Sequence, residues 1–466
     1  MSKCKIGLFS AGHLRYWPQF NGLRERLEEH MAAFEEKIKS LDTDVEFISG
    51  GLVDTVERGY ETGDLFKEKN VDFIICNVTT YVSASFIVPV PQRSKAPMIV
   101  IGLQPTQGME PETATTWLQL EHDNATPLTE IICSCERCNI TVYDCIFGKL
   151  HNDDRVMRKI KEWLEAAVVF HGLKNARFGF MGHVREWMMD LQFDPTMVTA
   201  FFGSHVEMLE MGDLDHRARK VGDAELKQKI KEIKNSFQVP SPRVENTAGY
   251  VSEGQLEWSA KVAVGLDRML KDYNIDGLTY YYYSSHERKY AEIMAGMIIG
   301  SSLLNGKGIP VAGEGDMKTN LAMFITQHLG AGGSFAGLHS ADFKNGCIHL
   351  GHEGPYDLKI AEKKPALYSL TLSHDKPVQS ASVEFNIRTG PLSMLALTQK
   401  HNGQFKFVYA EGESLPGITT TAGCINARGR FTPGIPAFVE KWSREAPSHH
   451  FSLSIEHNLS KIEKLA

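Results

Sequence analysis

Apolar residues recur at three- to four-residue spacing through Leu23, Leu27, Met31, Phe34 and Ile38, which predicts a helix over about 17–40 with Pro18 in its first turn. Shorter apolar runs at 5–10, 45–48, 71–76 and 97–101 read as strands, separated by helical stretches near 53–69 and 81–93. Strand and helix alternating at this spacing predict a parallel sheet covered on both faces. After a helix near 153–171 the alternation restarts. A strand at 176–182 is followed by 198–202 and 203–208, a charged helix at about 222–236, a Pro-containing link at 238–242, a long helix at 254–272 and the aromatic run 277–283. That run is most simply a strand with both faces covered.

From about 330 the texture changes to short alternating segments at 366–372, 382–387, 394–397 and 405–409, spaced by turn clusters such as Asn402-Gly403. Such a pattern predicts a small antiparallel barrel or sandwich, with a last helix at about 454–464. The chain therefore divides into an N-terminal α/β domain (1–173), a central α/β domain (174–328) and a C-terminal β-barrel domain with a terminal helix (329–466).

Ligands of open parallel sheets bind beyond the carboxyl ends of the strands, so the loops at 10–20, 77–83 and 102–108 belong on one rim. The polar residues His13, Gln19, Thr79, Thr80 and Gln104 are candidates for substrate hydroxyls, although such residues also serve as caps and turns. No G-x-G-x-x-G follows the first strand, which argues against a dinucleotide.

Composition narrows the classes further. With 466 residues, 42% hydrophobic and 23% charged, the chain has the make-up of a globular protein of several domains. A formal charge of −7 without any basic tract argues against nucleic acid or an anionic membrane as the partner. No stretch reaches the roughly 18 apolar residues of a membrane span. A start lacking a signal-peptide pattern leads to the expectation of a cytoplasmic protein. The eight cysteines need not pair. Cys133, Cys135, Cys138 and Cys145 lack the second well-spaced pair of a zinc knuckle and read as free thiols.

The candidate chemistry lies in glycine-rich loops. Glu314 stands between Gly313 and Gly315, His352 follows Gly351 shortly before Gly354-Pro355, and His449-His450 follow Pro447. One carboxylate and two imidazoles from distant segments suit a divalent metal with positions left open for substrate.

The chain resembles the L-arabinose isomerase and L-fucose isomerase superfamily, nearest to its arabinose isomerase-like members. The motifs that carry this are Tyr16-Trp17-Pro18-Gln19-Phe20, Leu103-Gln104-Pro105, Phe178-Gly179-Phe180-Met181-Gly182-His183, Phe202-Gly203-Ser204-His205-Val206-Glu207, Gly313-Glu314-Gly315-Asp316, Gly351-His352-Glu353-Gly354-Pro355 and His449-His450. The resemblance implies two Rossmann-like domains followed by a β-barrel, and a homo-oligomer, trimer or hexamer, with active sites at subunit boundaries. It further implies a divalent metal, usually manganese, held by Glu314, His352 and one of His449 or His450. Trp17 and Gln19 fall in a motif that helps to hold substrate.

One position departs from the family. Relatives carry a glutamate, both ligand and acid/base, where this chain has Gly337. Aldose–ketose interconversion moves a proton between C1 and C2, so a second titratable group is needed, and His339 or Asp342 is the candidate to replace it. The expectation is a metal-dependent aldose–ketose isomerase acting on a sugar other than plain L-arabinose, such as a deoxy sugar or a 6-substituted hexose like sulfoquinovose. Arg428 and Arg430 are candidates to pair with an anionic substituent. The alternatives are an epimerase or lyase of the same fold, or a sugar-binding relative without turnover.

Overall fold

The computed structural model describes residues 3–239, 248–283, 288–371, 379–416 and 425–466. They fall into two compact units, Met1–Gly172 and Leu173–Lys464.

In the first unit, β1 (Cys4–Ala11), β2 (Val45–Val53), β3 (Phe73–Val78), β4 (Met98–Gln104) and β5 (Val142–Lys149) form a parallel sheet in the order β2-β1-β3-β4-β5. Every residue of β3 is buried, because alternate side chains serve different cores. Ile74, Cys76 and Val78 face one cluster, while Phe73 and Ile75 face another with Trp163 and Leu164 of the helix Asp154–Asn175. The expected first helix starts later, at Leu23, after a short 3-10 turn over Leu14–Tyr16. Gly22 enters it with φ 80°, a backbone that a side chain would oppose. The stretch near 81–93 forms two short helices, Ala84–Ile87 and Pro89–Ser94, because Pro89 has no N–H with which to continue the first.

The second unit holds another parallel sheet, a barrel and a small sheet. β6 (Arg177–Gly182), β7 (His205–Leu209), β9 (Gly277–Tyr281) and β10 (Val311–Ala312) run in the order β10-β9-β6-β7, while 198–202 belongs to the helix Pro195–Phe202. The closed antiparallel barrel has the order β11-β12-β17-β16-β15-β18, from β11 (Ser334–Asp342), β12 (Cys347–Gly351), β15 (Gly390–Gln399), β16 (Phe405–Ser414), β17 (Ala427–Arg430) and β18 (His450–Ile455). The segments expected in the barrel at 366–372 and 382–387 lie elsewhere. β13 (Ala366–Thr371) and β14 (Gln379–Glu384) pair with each other, and the two-residue β8 (Ala248–Gly249) completes a separate three-stranded sheet. Alternation marks a strand, but not its partner.

One apolar cluster runs from Ile233, Ala260 and Ile299 on the helices through Leu367 and Val383 of the small sheet into Ala336, Leu350, Met394 and Phe451 of the barrel, so these elements share a core. The helix Met317–His328 is buried at every position from Met317 to Thr326. Its N-terminus carries the site described next.

Candidate functional site

After β10 the chain turns through Gly313-Glu314-Gly315-Asp316 into the helix Met317–His328. Glu314 and Gly315 both have left-handed φ, 60° and 71°. At Gly315 a Cβ would stand 2.6 Å from the His183 carbonyl oxygen and 2.7 Å from Val184 Cα, so only glycine lets these loops meet. Asp316 caps the helix, its Oδ1 accepting from the Thr319 N–H at 3.0 Å and its Oδ2 from the Thr319 hydroxyl at 2.8 Å. The same Oδ2 lies 3.2 Å from His450 Nδ1. Against a carboxylate Nδ1 is the donor, and the Nε2 of His450 stands 3.4 Å from Glu314 Oε2.

His352 follows directly on β12. Its Nε2 is 3.9 Å from Glu314 Oε1, and its carbonyl accepts from the Tyr356 hydroxyl. Phe335 packs against both imidazoles, with ring centroids 4.6 Å from His352 and 4.3 Å from His450. Glu314 Oε2 and His352 Nδ1 are buried without a hydrogen-bond partner among the described residues. Such orphaned atoms in native proteins call for a ligand, and a carboxylate with two imidazoles is a donor set that suits a divalent ion. The residues therefore fit the metal that the resemblance implies, with Asp316 holding His450 as its outer partner.

Gly337 sits on β11 between these groups, paired with Gly351 on one side and His450 on the other. A Cβ there would meet only the His449 carbonyl oxygen at 3.6 Å and His450 Cδ2 at 3.9 Å, so a side chain has room. His339, two residues on, also lines the cavity and places Nε2 3.0 Å from the Gly351 carbonyl oxygen. Only a donating nitrogen can make that contact, so Nδ1 carries the lone pair.

The cavity holds about 620 Å³ and is walled by Glu314, His352, His450, Gly337, His339, His449, Glu353, Arg185, Met188 and Trp442. Sequence reasoning missed Arg185. It lies in the loop beyond β6, at the carboxyl end of a parallel strand, which was the available signal. Its backbone N–H donates to the Glu314 carbonyl at 3.0 Å, and its guanidinium contacts Glu314 Oε1. Asp190, from the same loop, accepts from the His449 backbone N–H at 2.9 Å and from its Nδ1 at 2.6 Å.

Burial pushes the Glu314 carboxyl up, but His352, His450 and Arg185 outweigh it and hold the group below the usual carboxylate range. Burial brings the His352 imidazole down to about 3, against the attraction of Glu314, which keeps it neutral and able to ligate. Burial also lowers His339. For Asp316, burial is outweighed by the His450 hydrogen bond and by Lys318, and the carboxyl stays low. His449 is raised, burial being overcome by its bond to Asp190.

The structure thus brings together Glu314, His352, His450, His449 and His339. Ligating atoms of Glu314, His449 and His450 all lie within 4.8 Å of one another, a group that does not include His352, whose Nε2 is 3.9 Å from Glu314; the Nδ1 of His449 is engaged by Asp190. Asp342 is not on the cavity wall. It closes the turn between β11 and β12, accepting from the Asn345 N–H at 3.0 Å and the Asn345 amide at 2.7 Å. Arg428 and Arg430 are also outside the wall. Arg428 donates to the Pro416 carbonyl, and Arg430 pairs with Glu413 at 3.3 Å on the exposed side of the barrel.

The remaining candidates belong to the first unit. His13 stacks on Tyr16 at 4.6 Å, Trp17 donates to Asp54 at 2.8 Å, and Gln19 donates to the Arg15 carbonyl at 2.7 Å. Gln104 spends its amide nitrogen on the His122 carbonyl and Asn124 Oδ1, while Thr79 and Thr80 donate to the carbonyls of Ala11 and Leu120. Of the four clustered cysteines, Cys135 is buried and Cys133, Cys138 and Cys145 are exposed.

Residues 193–332, which contain Glu314 and Asp316, match the L-arabinose isomerase central domain family. An L-arabinose isomerase from Herpetosiphon aurantiacus is 25% identical over 260 residues, 54% of this chain and 50% of that protein. Over these residues the chain is similar to L-arabinose isomerases. The match spans about half the length of this curated relative. Among solved structures, a periplasmic solute-binding protein from Actinobacillus succinogenes with bound D-allose covers 67% of this chain and 78% of its own at 12% identity. Its TM-score of 0.17 carries no weight. No helix among the described residues is long and apolar enough to cross a membrane.

Proposed function

We propose that this protein is a divalent-metal-dependent aldose–ketose isomerase acting on a sugar other than plain L-arabinose. The observation that carries the reading is the convergence of Glu314, His352 and His450, from three distant segments, on one cavity wall with orphaned ligating atoms. The family match and the relative named an L-arabinose isomerase support the reaction class.

Glu314, His352 and His450 would hold the ion, manganese being the expectation. When bound it supplies positive charge that lowers the cost of negative charge on neighbouring sugar oxygens. The protein must then move protons. In the aldose-to-ketose direction the C2–H bond breaks and its electron pair becomes the C1–C2 double bond while O1 takes a proton. C1 next gains a proton as O2 loses its own, so atoms and charge balance. His339 is the group on the cavity wall suited to this transfer, since it is neutral and its Nδ1 lone pair is free of the Gly351 contact. The absence of a carboxylate at position 337 leaves room in the same cavity, which favours a substrate bulkier than L-arabinose or differently substituted, a deoxy sugar or a 6-substituted hexose.

The test is incubation of the purified protein with manganese and a panel of aldoses, following ketose formation and loss of label from C2. Ketose formation supports the reading. A C2 epimer or a cleavage product points instead to the epimerase or lyase, and binding without turnover to a sugar-binding relative.

A further inference from the structure

We propose that Arg185 is a catalytic residue of this site, donating hydrogen bonds to the reacting oxygens of the sugar where negative charge builds during proton transfer. The proposal rests on the isomerase reading above.

The placement of Arg185 is fixed twice over by one residue. Its backbone N–H holds the Glu314 carbonyl at 3.0 Å, and its guanidinium touches the Glu314 carboxylate. The loop therefore cannot shift without disturbing the candidate ligand. The side chain is only 11% exposed, stands 5.9 Å from the Tyr281 ring centroid and forms part of the cavity wall. A guanidinium offers five N–H donors in a rigid fork. Among the described residues its one hydrogen bond goes to Glu314 Oε1.

Glu314 answers the charge of this cation, and no Arg185 nitrogen is among the buried atoms left without a partner, so its remaining donors are open to the cavity. Neutral imidazoles do not serve, because His352 and His339 offer at most one lone pair each and neither contacts Arg185. The spare donors face a cavity of about 620 Å³, and the acceptors that suit them are oxygens brought by the ligand. A permanently protonated group costs no proton exchange, so its hydrogen bonds strengthen as the oxygens become anionic, which is how a preorganised donor favours a transition state over a ground state.

The test compares wild type with Arg185→Met and Arg185→Lys, each loaded with manganese, by calorimetric titration with two probes. One is an aldonohydroxamate, which mimics the anionic planar enediolate, and the other is the matching neutral alditol. For Arg185→Met we expect the hydroxamate to bind about 100-fold more weakly and the alditol less than about threefold, with manganese stoichiometry unchanged. Arg185→Lys, which keeps the charge but not the fork, should fall between. Turnover should follow the hydroxamate, in kcat and not in KM. Equal weakening of both probes, or loss of manganese with normal kcat once the metal is saturating, would overturn the proposal, because Arg185 would then only shape the wall or steady Glu314. Failure of wild type to bind either probe would sink the isomerase reading itself, a result distinct from a null effect of the substitution.

Discussion

The two parallel sheets end in rims of opposite character. Beyond the first sheet, Thr79, Thr80, Gln104 and Asn124 hydrogen-bond to backbone carbonyls or to each other, so the polar atoms finish the fold. Beyond the second, Glu314 Oε2, and the His352 Nδ1 that the barrel brings beside it, are buried without hydrogen-bond partners among the described residues, and Arg185 spends one of its donors. Polar residue types at strand ends are common to both. What separates a site from a well-finished loop is the set of buried groups the chain itself leaves unanswered.

The largest effect that would break this contrast is at Glu314. Glu314→Gln should lower turnover by roughly 10³-fold or more while far-UV circular dichroism is unchanged, and a variant with wild-type kcat would remove the residue from the chemistry. Asp316→Ala should weaken manganese binding by about 10–100-fold through loss of the group that orients His450. It should also cost about 1 kcal/mol in denaturant titrations through loss of the helix cap. Gly337→Glu should fold normally and raise manganese affinity by roughly tenfold, since the added carboxylate has room and adds ligand charge. On the other rim, Gln104→Leu should cost about 1–3 kcal/mol of stability and leave kcat unaltered, because its amide serves the His122 carbonyl.

A further effect is on pH dependence. His352 has a folded pKa of about 3, below its ordinary 6.5. Between those values the unfolded chain binds a proton that the folded chain refuses, so stability of the metal-free protein falls as pH drops through that window. His352→Asn should flatten the slope, measured as denaturation midpoint against pH.

How much of this could be read beforehand follows from what periodicity encodes. The helix at 23–39 and the strand at 73–78 announce themselves, because their apolar spacing matches the faces they bury. The barrel strand β11 does not, since Ser334 and Gly337 break its apolar pattern while being buried; β18 does alternate, Phe451, Leu453 and Ile455 against buried Ser452 and Ser454, but part of it fell under the helix expected from 454, which begins only at Leu459. Glu314 and His352 were legible through the glycines around them. Arg185 was not, because its placement depends on a contact with a residue 129 positions away, while Asp342, the less favoured candidate beside His339, closes a turn as such carboxylates commonly do.

The most direct test is a crystal structure of the manganese-soaked protein with data collected at the manganese edge. One anomalous peak bonded to the Glu314 carboxylate and to the imidazoles of His352 and His450 is the predicted result. An ion bound elsewhere, or none at these three residues when the protein is saturated with metal, would contradict the account.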